Sequence, residues 1–277
     1  MNNQKTLITG ATGKTGSRIF SRLQALGHDV RPGSRNMSIP FDWNDPSTWK
    51  AALDGIDAVY MVYYPDLAVP GAPETIQAFT DFAVAAGVQK LVLLSGRGEQ
   101  HAEHCERIVF AGGVDATVIR ASWFNQNFDE GLFLEAVHAG TLAIPAGEIQ
   151  EPFLDLEDLA EVAVTALTED GHAGKIYEVT GPELLTFAEV AAKLSEAAGH
   201  KVEYLPISFE EHHAIMTAAE GKEFADFLTE LCKEVLDGRN AFLGHGVQEA
   251  LGRAPKSFTD YCTRIAATGV WNRDLVS

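Results

Sequence analysis

The feature that most constrains this chain is a glycine-rich stretch, TGATGKTG, at residues 9–16, which directly follows an apolar run. A P-loop reads G-x-x-x-x-G-K-[ST], and its first glycine would fall at position 8, where Ile8 stands. The glycines are Gly10, Gly13 and Gly16, a G-x-x-G-x-x-G variant of the dinucleotide fingerprint G-x-G-x-x-G. A helix-like run, Ser17–Leu26, follows the loop. The pattern predicts a strand, a tight turn and a helix start that attracts a pyrophosphate.

The composition limits the class of protein. The chain has 277 residues and a net charge of −18, from 21 basic and 39 acidic residues. Nucleic-acid binding draws on Lys and Arg to neutralise phosphates, so we expect no nucleic-acid partner. The apolar runs are too short to span a membrane, and no signal peptide is visible at Met1–Lys5. Cys105, Cys232 and Cys262 are odd in number and far apart, which favours reduced thiols and a cytoplasmic location.

The first half of the chain alternates apolar runs with amphipathic segments, which is typical of a parallel sheet covered by helices. The predicted strands are Thr6–Thr9, Val30–Ser34, Ala58–Val62, Leu91–Ser95 and Ala116–Arg120. The predicted helices are Ser17–Leu26, Pro46–Leu53, Thr75–Ala86 and His104–Ala111. This order predicts an α/β fold with a doubly wound parallel sheet of the Rossmann type.

The second half is less regular. Its predicted helices are Phe124–Ala139, a segment after a short strand within 152–167, residues 186–199, and most of the stretch up to Phe242. Its predicted strands include 175–179 and 202–207. We expect residues 1–150 to form the nucleotide-binding domain, with 175–182 returning to it. Residues 151–277 should form a smaller, mainly helical region on the substrate side.

The end of the second predicted strand bears on the choice of cofactor. NAD-specific sites usually place Asp or Glu there to bind the ribose 2′-hydroxyl. Here Ser34, Arg35 and Asn36 occupy that place. A guanidinium can hold a 2′-phosphate through paired N–H donors, so we predict that NADP(H) is preferred over NAD(H). The alternative is that Arg35 is a solvated loop residue.

Further site candidates follow the predicted strands. Asp42 can hydrogen-bond adenine beside Phe41 or Trp43; the alternative is a turn packed by aromatic core residues. Ligands of open α/β sheets lie beyond the carboxyl ends of the strands. We therefore expect the nicotinamide side to be lined by Val62, Tyr63 and Tyr64 after one strand, and by LLSGRG, residues 93–98, which includes Ser95 and Gly96, after the next. Tyr63 and Tyr64 are also candidate substrate contacts.

Several motifs together carry a family resemblance: LITGATGKTGSRIFSRLQALGHDVRPGSR, LVLLSG, GVDATVIRASWFNQNF and FLDLEDLAEVA. The chain resembles the NmrA-like family of atypical short-chain dehydrogenases/reductases over roughly residues 5 to 260. FDWNDPSTW and the GKTGS loop resemble the branch of the festuclavine and agroclavine dehydrogenases. The wider family includes NAD(P)H quinone reductases and redox-sensing regulators.

The resemblance implies a Rossmann domain, a small C-terminal domain, and NAD(P) bound between them. It implies that Thr12, Lys14 and Thr15 lie near the pyrophosphate, together with the three glycines. It implies that Tyr63 and Ser95 border the nicotinamide, and that the substrate is faced by Trp123, Phe124 and Asn127.

The usual Tyr-x-x-x-Lys dyad of short-chain dehydrogenases is absent, because no tyrosine of the sequence has a lysine four positions on. Catalytic candidates are therefore Ser95, His101 and His104. Ser95 can polarise a carbonyl or contact the cofactor, or it can simply hydrogen-bond its own turn. A histidine can donate a proton near neutral pH, or it can lie in a solvated helix start.

Two other chemistries are not expected. His101-x-x-His104 and Glu211-His212-His213 each offer only a few adjacent ligands, and their spacing places no third partner for a metal. LLSGRG lacks the glycine two residues before the serine that a nucleophile elbow needs, so hydrolase chemistry is not expected.

Two functions remain open at this point. The first is an NADPH-dependent reductase that transfers hydride to a small apolar or aromatic substrate, such as a quinone, an imine or an activated alkene, without the dyad. The second is a non-catalytic NAD(P) sensor that reports redox state to a protein partner. The sequence favours the reductase, because aromatic residues follow the strand ends as in a small-molecule pocket. It does not decide between monomer and homodimer.

Overall fold

The computed structural model describes residues 4–272; Met1–Asn3 and residues 273–277, at the outer ends of the two expected domains, lie outside the described residues. The strands are β1 (Lys5–Thr9), β2 (Asp29–Gly33), β3 (Ala58–Met61), β4 (Lys90–Gly96), β5 (Asp115–Ala121), β6 (Thr141–Ile144), β7 (Gln150–Glu151), β8 (Lys175–Val179), β9 (Leu185–Thr186) and β10 (Glu203–Pro206). The helices are α1 (Lys14–Ala25), α2 (Trp49–Leu53), α3 (Ala72–Ala85), α4 (Gln100–Ala111), α5 (Leu134–Ala139), α6 (Leu156–Thr168), α7 (Phe187–Ala198), α8 (Phe209–Glu220), α9 (Lys222–Val235), α10 (Gly246–Leu251) and α11 (Phe258–Ala266).

The chain divides into two compact units. The first unit contains the residues up to Ala121, Leu156–Val179 and His245–Arg253. The second contains Ser122–Asp155, Thr180–Gly244 and the residues from Ala254. This division differs from the single boundary expected after residue 150, because the chain leaves the first unit at the end of β5 and returns with α6 and β8. Within the 175–182 segment, β8 belongs to the first unit, and the residues from Thr180 onward belong to the second.

A six-stranded parallel sheet, in the order β2-β1-β3-β4-β5-β8, forms the centre of the first unit. The predicted Rossmann-type sheet is thus confirmed. β3 is buried at every position, and β4 and β5 are buried at most positions, as expected for strands covered on both faces. The next strand, β2, is added on one side of β1, whereas β3 and the strands that follow are added on the other side. The topological switch point therefore lies beyond the carboxyl ends of β1 and β3.

A threonine joins the two strands at this switch point. Thr9 ends β1 and is fully buried. Its Oγ1 donates to the carbonyl of Tyr60 at 3.0 Å and accepts from the backbone N–H of Val62 at 2.9 Å. These two hydrogen bonds therefore set the position of the carboxyl end of β3 relative to that of β1.

Aromatic rings fill one side of this sheet. Phe79 of α3 is fully buried and meets Phe41, Trp43 and Trp49 edge to face, with centroid distances of 5.6, 4.8 and 5.3 Å. Edge-to-face pairs add to the stabilisation that burial itself supplies. This cluster anchors the irregular segment between β2 and α2 to the sheet.

The second unit is mainly helical, as predicted. It contains α5, α7, α8, α9 and α11 and two small sheets, a parallel pair of β6 with β10 and an antiparallel pair of β7 with β9. Its core contains Phe128, Phe153, Phe187 and Phe258. Helices α7, α8 and α11 each begin with a capping box, in which the N-cap hydroxyl and an acid three residues on satisfy each other's backbone N–H groups.

The continuous helix predicted over Phe124–Ala139 is wrong. The structure has a short 3₁₀ helix at Asn125–Phe128 and then α5, which begins only at Leu134. The reason is tertiary pairing: Phe124 forms a β-bridge with Leu154, and the Asn125 N–H donates to the Leu154 carbonyl at 2.8 Å. A short strand is predicted to begin near residue 152. The structure has instead β7, which ends at Glu151, and the isolated bridge at Leu154.

Among residues 4–272, no helix is long and apolar enough to cross a bilayer.

The aromatic cluster yields a stability prediction. Phe79→Ala should lower the free energy of unfolding by about 3–5 kcal/mol, because it leaves a cavity among three packed rings. The matched control is Phe82→Ala on the same helix, where the ring is 37% exposed and the loss should be much smaller. Urea unfolding measures both, and equal losses would contradict the central place of Phe79 in this cluster.

Candidate functional site

The glycine loop is packed too closely for side chains. Gly10 has a φ of +61°, in the left-handed region, and its carbonyl accepts the Gly13 N–H at 2.8 Å. A Cβ on Gly16 would lie 2.3 Å from that same carbonyl oxygen, and a Cβ on Gly10 would lie 2.6 Å from Cγ1 of Val62. The loop therefore needs glycine at Gly10 and Gly16, as the fingerprint predicts.

Helix α1 begins directly after this turn. Its N-cap is Gly13, which has no side-chain acceptor, and its first turn, Lys14 to Ser17, contains no acid. The first N–H groups of a helix have no acceptor within the helix, so this end is suited to an anion. Thr12 is exposed, Lys14 is half-buried and Thr15 is 5% exposed. The predicted pyrophosphate residues thus lie together in one loop and helix start, and their arrangement fits a dinucleotide.

The end of β2 adjoins the glycine loop. The hydroxyls of Thr12 and Ser34 lie 3.4 Å apart. Arg35 follows and is exposed, and it makes no ion pair with any residue between 4 and 272. Arg35 thus follows directly in the chain after one of two neighbouring hydroxyls, and its binding of a 2′-phosphate stays a prediction.

The Asp42 segment is a packed turn. Asp42 Oδ1 accepts the Asn44 N–H at 3.0 Å, and its carbonyl accepts Trp49 Nε1–H at 2.9 Å. Phe41 and Trp43 are 3% and 7% exposed, so they belong to the core, as the alternative to the adenine site supposed. An adenine contact of Asp42 stays a prediction.

The first residues after β3 contact Trp43. The Val62 carbonyl accepts from Trp43 Nε1–H at 2.9 Å. Tyr63 is half-buried and tilts against the Trp43 ring at a centroid distance of 5.2 Å, whereas Tyr64 is 71% exposed. Of these two predicted tyrosines, Tyr63 therefore packs against a neighbouring ring, whereas the side chain of Tyr64 is largely exposed.

Ser95 is buried rather than open. It is 3% exposed, and its Oγ donates to Oε1 of Glu106 at 2.7 Å. Glu106 also accepts two hydrogen bonds from Arg120, at 2.7 and 2.6 Å. The hydrogen bond to Glu106 raises the pKa of Arg120. The hydroxyl of Ser95 is thus committed to a buried ion pair, and not to its own turn as the alternative supposed.

The network extends to residues that sequence reasoning missed. Glu178 on β8 lies 3.4 Å from Arg120 and 3.5 Å from Arg97, which is 4% exposed. Arg97 and Arg120 both lie at the ends of buried apolar strands. An arginine at the end of an apolar run is a sequence feature that could have marked both as site candidates. Glu106 and Glu178 gave no such signal, because acids on helices and edge strands are common.

The two candidate histidines lie at the surface of α4. His101 and His104 are exposed. His101 Nδ1 lies 3.1 Å from the Ala68 carbonyl, which can only accept, so the ring donates to it. Cys105 beside them is fully buried, and burial raises the pKa of its thiol to about 12, so it is not a nucleophile at neutral pH.

Of the predicted substrate residues, Tyr63 and Tyr64 lie in the first unit, and Trp123, Phe124 and Asn127 lie in the second. Trp123 is half-buried and stacks on Phe133 at 6.3 Å and edge-on to Phe187 at 5.7 Å. Phe124 and Asn127 are also half-buried. Asn125 between them is fully buried, and neither its amide oxygen nor its amide nitrogen has a hydrogen-bond partner among the described residues. Such a buried amide is rare, and no local sequence pattern distinguishes Asn125 from its neighbours.

Within residues 4–272, no three His, Cys, Asp or Glu side chains group in a way that would hold a metal. His212 is 4% exposed and lies 3.4 Å from the Thr229 hydroxyl, and burial lowers its pKa. His213 bonds Asp226 at 2.7 Å. The two adjacent histidines therefore face different partners.

Known proteins of similar sequence span nearly the whole chain. The NAD(P)H azoreductase of Xenophilus azovorans is 31% identical over 287 residues, which cover 94% of this chain and 98% of that protein. The festuclavine dehydrogenase of Aspergillus fumigatus is 31% identical over 281 residues, covering 92% and 95%. No family model matches the sequence.

Solved structures share the fold. The NADPH-dependent quinone oxidoreductase of Escherichia coli, solved with NADPH, superposes with a TM-score of 0.80 at 20% identity, covering 94% of this chain and 99% of that one. The Citrobacter sp. triphenylmethane reductase, solved with NADP(H), gives 0.75 at 22% identity, covering 95% and 99%. With relatives 31% identical over almost its full length, and with the glycine loop and sheet in place, the chain belongs to the NmrA-like family of atypical short-chain dehydrogenases/reductases.

Proposed function

We propose that this protein is an NADPH-dependent reductase that transfers hydride to a small apolar or aromatic acceptor, such as a quinone, an imine or an activated alkene. The observation that carries the proposal is the glycine cradle at the switch point, with Arg35 at the end of the adjoining strand. The names of the relatives and fold neighbours, an azoreductase, a festuclavine dehydrogenase, a quinone oxidoreductase and a triphenylmethane reductase, support the same reaction class.

In this proposal, different residues of the first unit bind different parts of the cofactor. The backbone of Gly10–Gly16 and the start of α1 hold the pyrophosphate. Ser34 and Arg35 hold the 2′-phosphate. Val62, Tyr63 and Gly96, which follow or end neighbouring strands, border the nicotinamide. When bound, the nicotinamide supplies the hydride.

The protein contributes mainly orientation and exclusion of water. The Tyr-x-x-x-Lys dyad is absent from the sequence, and the Ser95 proton is held by Glu106 at 2.7 Å. The acceptors proposed here need little acid help from a tyrosine. Flat rings such as Tyr63, and Trp123 in the second unit, offer apolar surfaces that suit aromatic acceptors.

A non-catalytic NADP(H) sensor is the second candidate function. The burial of Ser95 favours it, since no hydroxyl at that strand end is left to polarise a substrate. The two functions differ in one measurable property, which is turnover.

The direct test is NADPH oxidation with a panel of acceptors. We expect steady consumption of NADPH with at least one quinone, cyclic imine, azo dye or cationic triphenylmethane dye. Binding of NADPH at micromolar concentration without turnover of any acceptor would instead favour the sensor.

The 2′-phosphate pocket yields a specificity prediction. Arg35→Asp should weaken NADPH binding by about 10- to 100-fold, because a charge-assisted hydrogen bond is lost and a like charge is added. NADH binding should change little, since NADH has no 2′-phosphate. Fluorescence titration measures both, with Arg107→Asp, an exposed arginine of α4, as the matched control. Equal weakening of both cofactors would refute the role of Arg35.

The glycine cradle yields a contrasting prediction. Gly16→Ala should weaken NADPH and NADH equally, by roughly tenfold or more, because the new Cβ displaces the loop that both cofactors share. Gly13→Ala is the control: its Cβ would lie 3.3 Å from the Gly10 carbonyl, against 2.3 Å for Gly16, so its effect should be milder. If Gly16→Ala binds both cofactors normally, the pyrophosphate is held elsewhere.

A further inference from the structure

A buried glutamate of α4 contacts the end of the strand that precedes this helix. Glu106 is 2% exposed, and its Oε1 accepts a hydrogen bond from the Ser95 hydroxyl at 2.7 Å. Ser95 is the next-to-last residue of β4, so this bond closes the segment of chain between the strand end and the middle of α4. The carboxyl end of β4 is therefore held by a side chain of the helix that follows it.

The carboxylate of Glu106 is itself fixed in orientation. Arg120 of β5 donates to it from two nitrogens, Nε to Oε1 at 2.7 Å and Nη2 to Oε2 at 2.6 Å. Two parallel bonds of this kind determine the plane of a carboxylate as well as its position. The third nitrogen of the guanidinium, Nη1, donates to Glu178 of β8 at 3.4 Å. The pair of Glu106 and Arg120 thus connects β4, α4, β5 and β8.

The residues that follow in the connection between β4 and α4 are restrained as well. A Cβ built on Gly96 would lie 1.9 Å from Oε1 of Glu99, so this carboxyl packs directly against the backbone of the strand end. The Arg97 N–H donates to the Ala121 carbonyl at 3.3 Å, and the Arg97 guanidinium lies 3.5 Å from Glu178. The turn at the end of β4 is therefore held by both backbone and side-chain contacts.

Stability alone does not explain a buried charge at this place. Taking an ion pair out of water costs free energy that roughly offsets the attraction within the pair, and apolar residues of similar size often stabilise a protein as well or better. The interior of β4 and β5 indeed contains apolar residues such as Leu93 and Val118. The ion pair lies instead at the carboxyl ends of these strands, the edge at which open α/β sheets bind ligands.

This edge is where the proposed reaction depends on geometry. In the proposed function, Gly96 borders the nicotinamide, and the hydroxyl of Ser95 is engaged by Glu106. Hydride transfer needs the donor and acceptor carbons close together and aligned, so an error of position at the ring lowers the rate. The conformation of the β4 end is therefore a variable on which the rate depends.

We propose that Glu106 is a positioning residue for the nicotinamide: held by Arg120 and acting through Ser95, it sets the strand end against which the ring lies. This inference rests on the proposed reductase function. Glu106 takes no proton and contacts neither cofactor nor acceptor. The phosphates of the cofactor, which the glycine loop and α1 hold, bind independently of Glu106, whereas the placement of the ring depends on it.

Ser95→Ala tests this role with the least disturbance, because it removes the bond to β4 and leaves Glu106 paired with Arg120. We expect kcat to fall about tenfold, a fraction of the ~100-fold that a 1 Å misplacement can cost. Binding of 2′,5′-ADP, which has no nicotinamide, should not change. The primary isotope effect on kcat with NADPH deuterated at the transferred position should rise, because hydride transfer becomes a slower step relative to the others.

Two further variants show whether the effect comes from the ion pair or from the hydroxyl itself. Glu106→Gln and Arg120→Lys both break the two-bond contact and keep the Ser95 hydroxyl, and each should lower kcat by about three- to tenfold. Adding Ser95→Ala to Glu106→Gln should lower kcat no further, since both act through one bond. Losses that multiply, or an unchanged kcat in Arg120→Lys, would overturn the proposal. Arg120→Lys keeps a positive charge beside Glu106, so it decides the matter if Glu106→Gln does not fold.

Thr117→Val is the matched control for the loss of a buried hydrogen bond. Thr117 of β5 is 2% exposed, donates to the His172 carbonyl at 2.9 Å, and lies opposite Val92 rather than opposite the end of β4. Its substitution should lower the melting temperature comparably to Ser95→Ala and leave kcat unchanged. An equal loss of kcat in the two variants would reduce the Ser95 bond to a general stabilising contact and refute the positioning role.

The fluorescence of bound NADPH tests the placement of the ring without turnover. At saturation, Ser95→Ala and Arg120→Lys should shift the nicotinamide emission toward that of free NADPH, whereas Thr117→Val should keep the wild-type emission. Wild-type emission in all three variants would overturn the proposal even if the protein is an active reductase. If the wild type reduces no acceptor, the reductase function fails, and the emission still decides whether Glu106 and Arg120 position the ring.

Discussion

The close contact between Gly10 and Gly16 is the constraint on which the site depends. One carbonyl oxygen, that of Gly10, accepts the Gly13 N–H at 2.8 Å and lies where a Cβ of Gly16 would come within 2.3 Å. The first turn of α1 therefore begins directly beyond the end of β1, with its N–H groups at the carboxyl edge of the sheet. A helix end with a glycine N-cap and no acid in its first turn retains its attraction for anions.

The rest of that edge is aligned by hydrogen bonds to backbone groups. Thr9 ties β1 to the exit of β3, and Trp43 donates to the Val62 carbonyl that follows. Trp43 is itself held by Phe79 at 4.8 Å, so the aromatic core and the predicted nicotinamide edge share one residue. Trp43 therefore contacts both the core ring of Phe79 and the ring of Tyr63 at the predicted nicotinamide edge.

The sequence predicted most of this unit because its signals are local. Glycine spacing determines the turn, apolar runs determine the strands, and the residue after β2 bears on the cofactor. Where pairing between residues far apart in the chain determines the local structure, the sequence alone does not predict it. The helix predicted over Phe124–Ala139 is broken by pairing with Leu154, a partner that no local pattern reveals. The strand-end position of Ser95 is visible in the sequence and makes it a catalytic candidate. Its hydrogen-bond partner Glu106 lies on α4, and no local pattern connects the two residues.

Charged groups at the carboxyl ends of β4 and β5 are balanced by pairing between different elements. Glu106 on α4 accepts two hydrogen bonds from Arg120 and one from Ser95, so its carboxylate is compensated by a guanidinium. Glu178 on β8 lies 3.4 Å from Arg120 and 3.5 Å from Arg97, which joins two acids and two arginines in one network. The hydroxyl of Ser95 is engaged in this network. The proposed hydride transfer therefore depends on the orientation of cofactor and acceptor rather than on proton donation by Ser95.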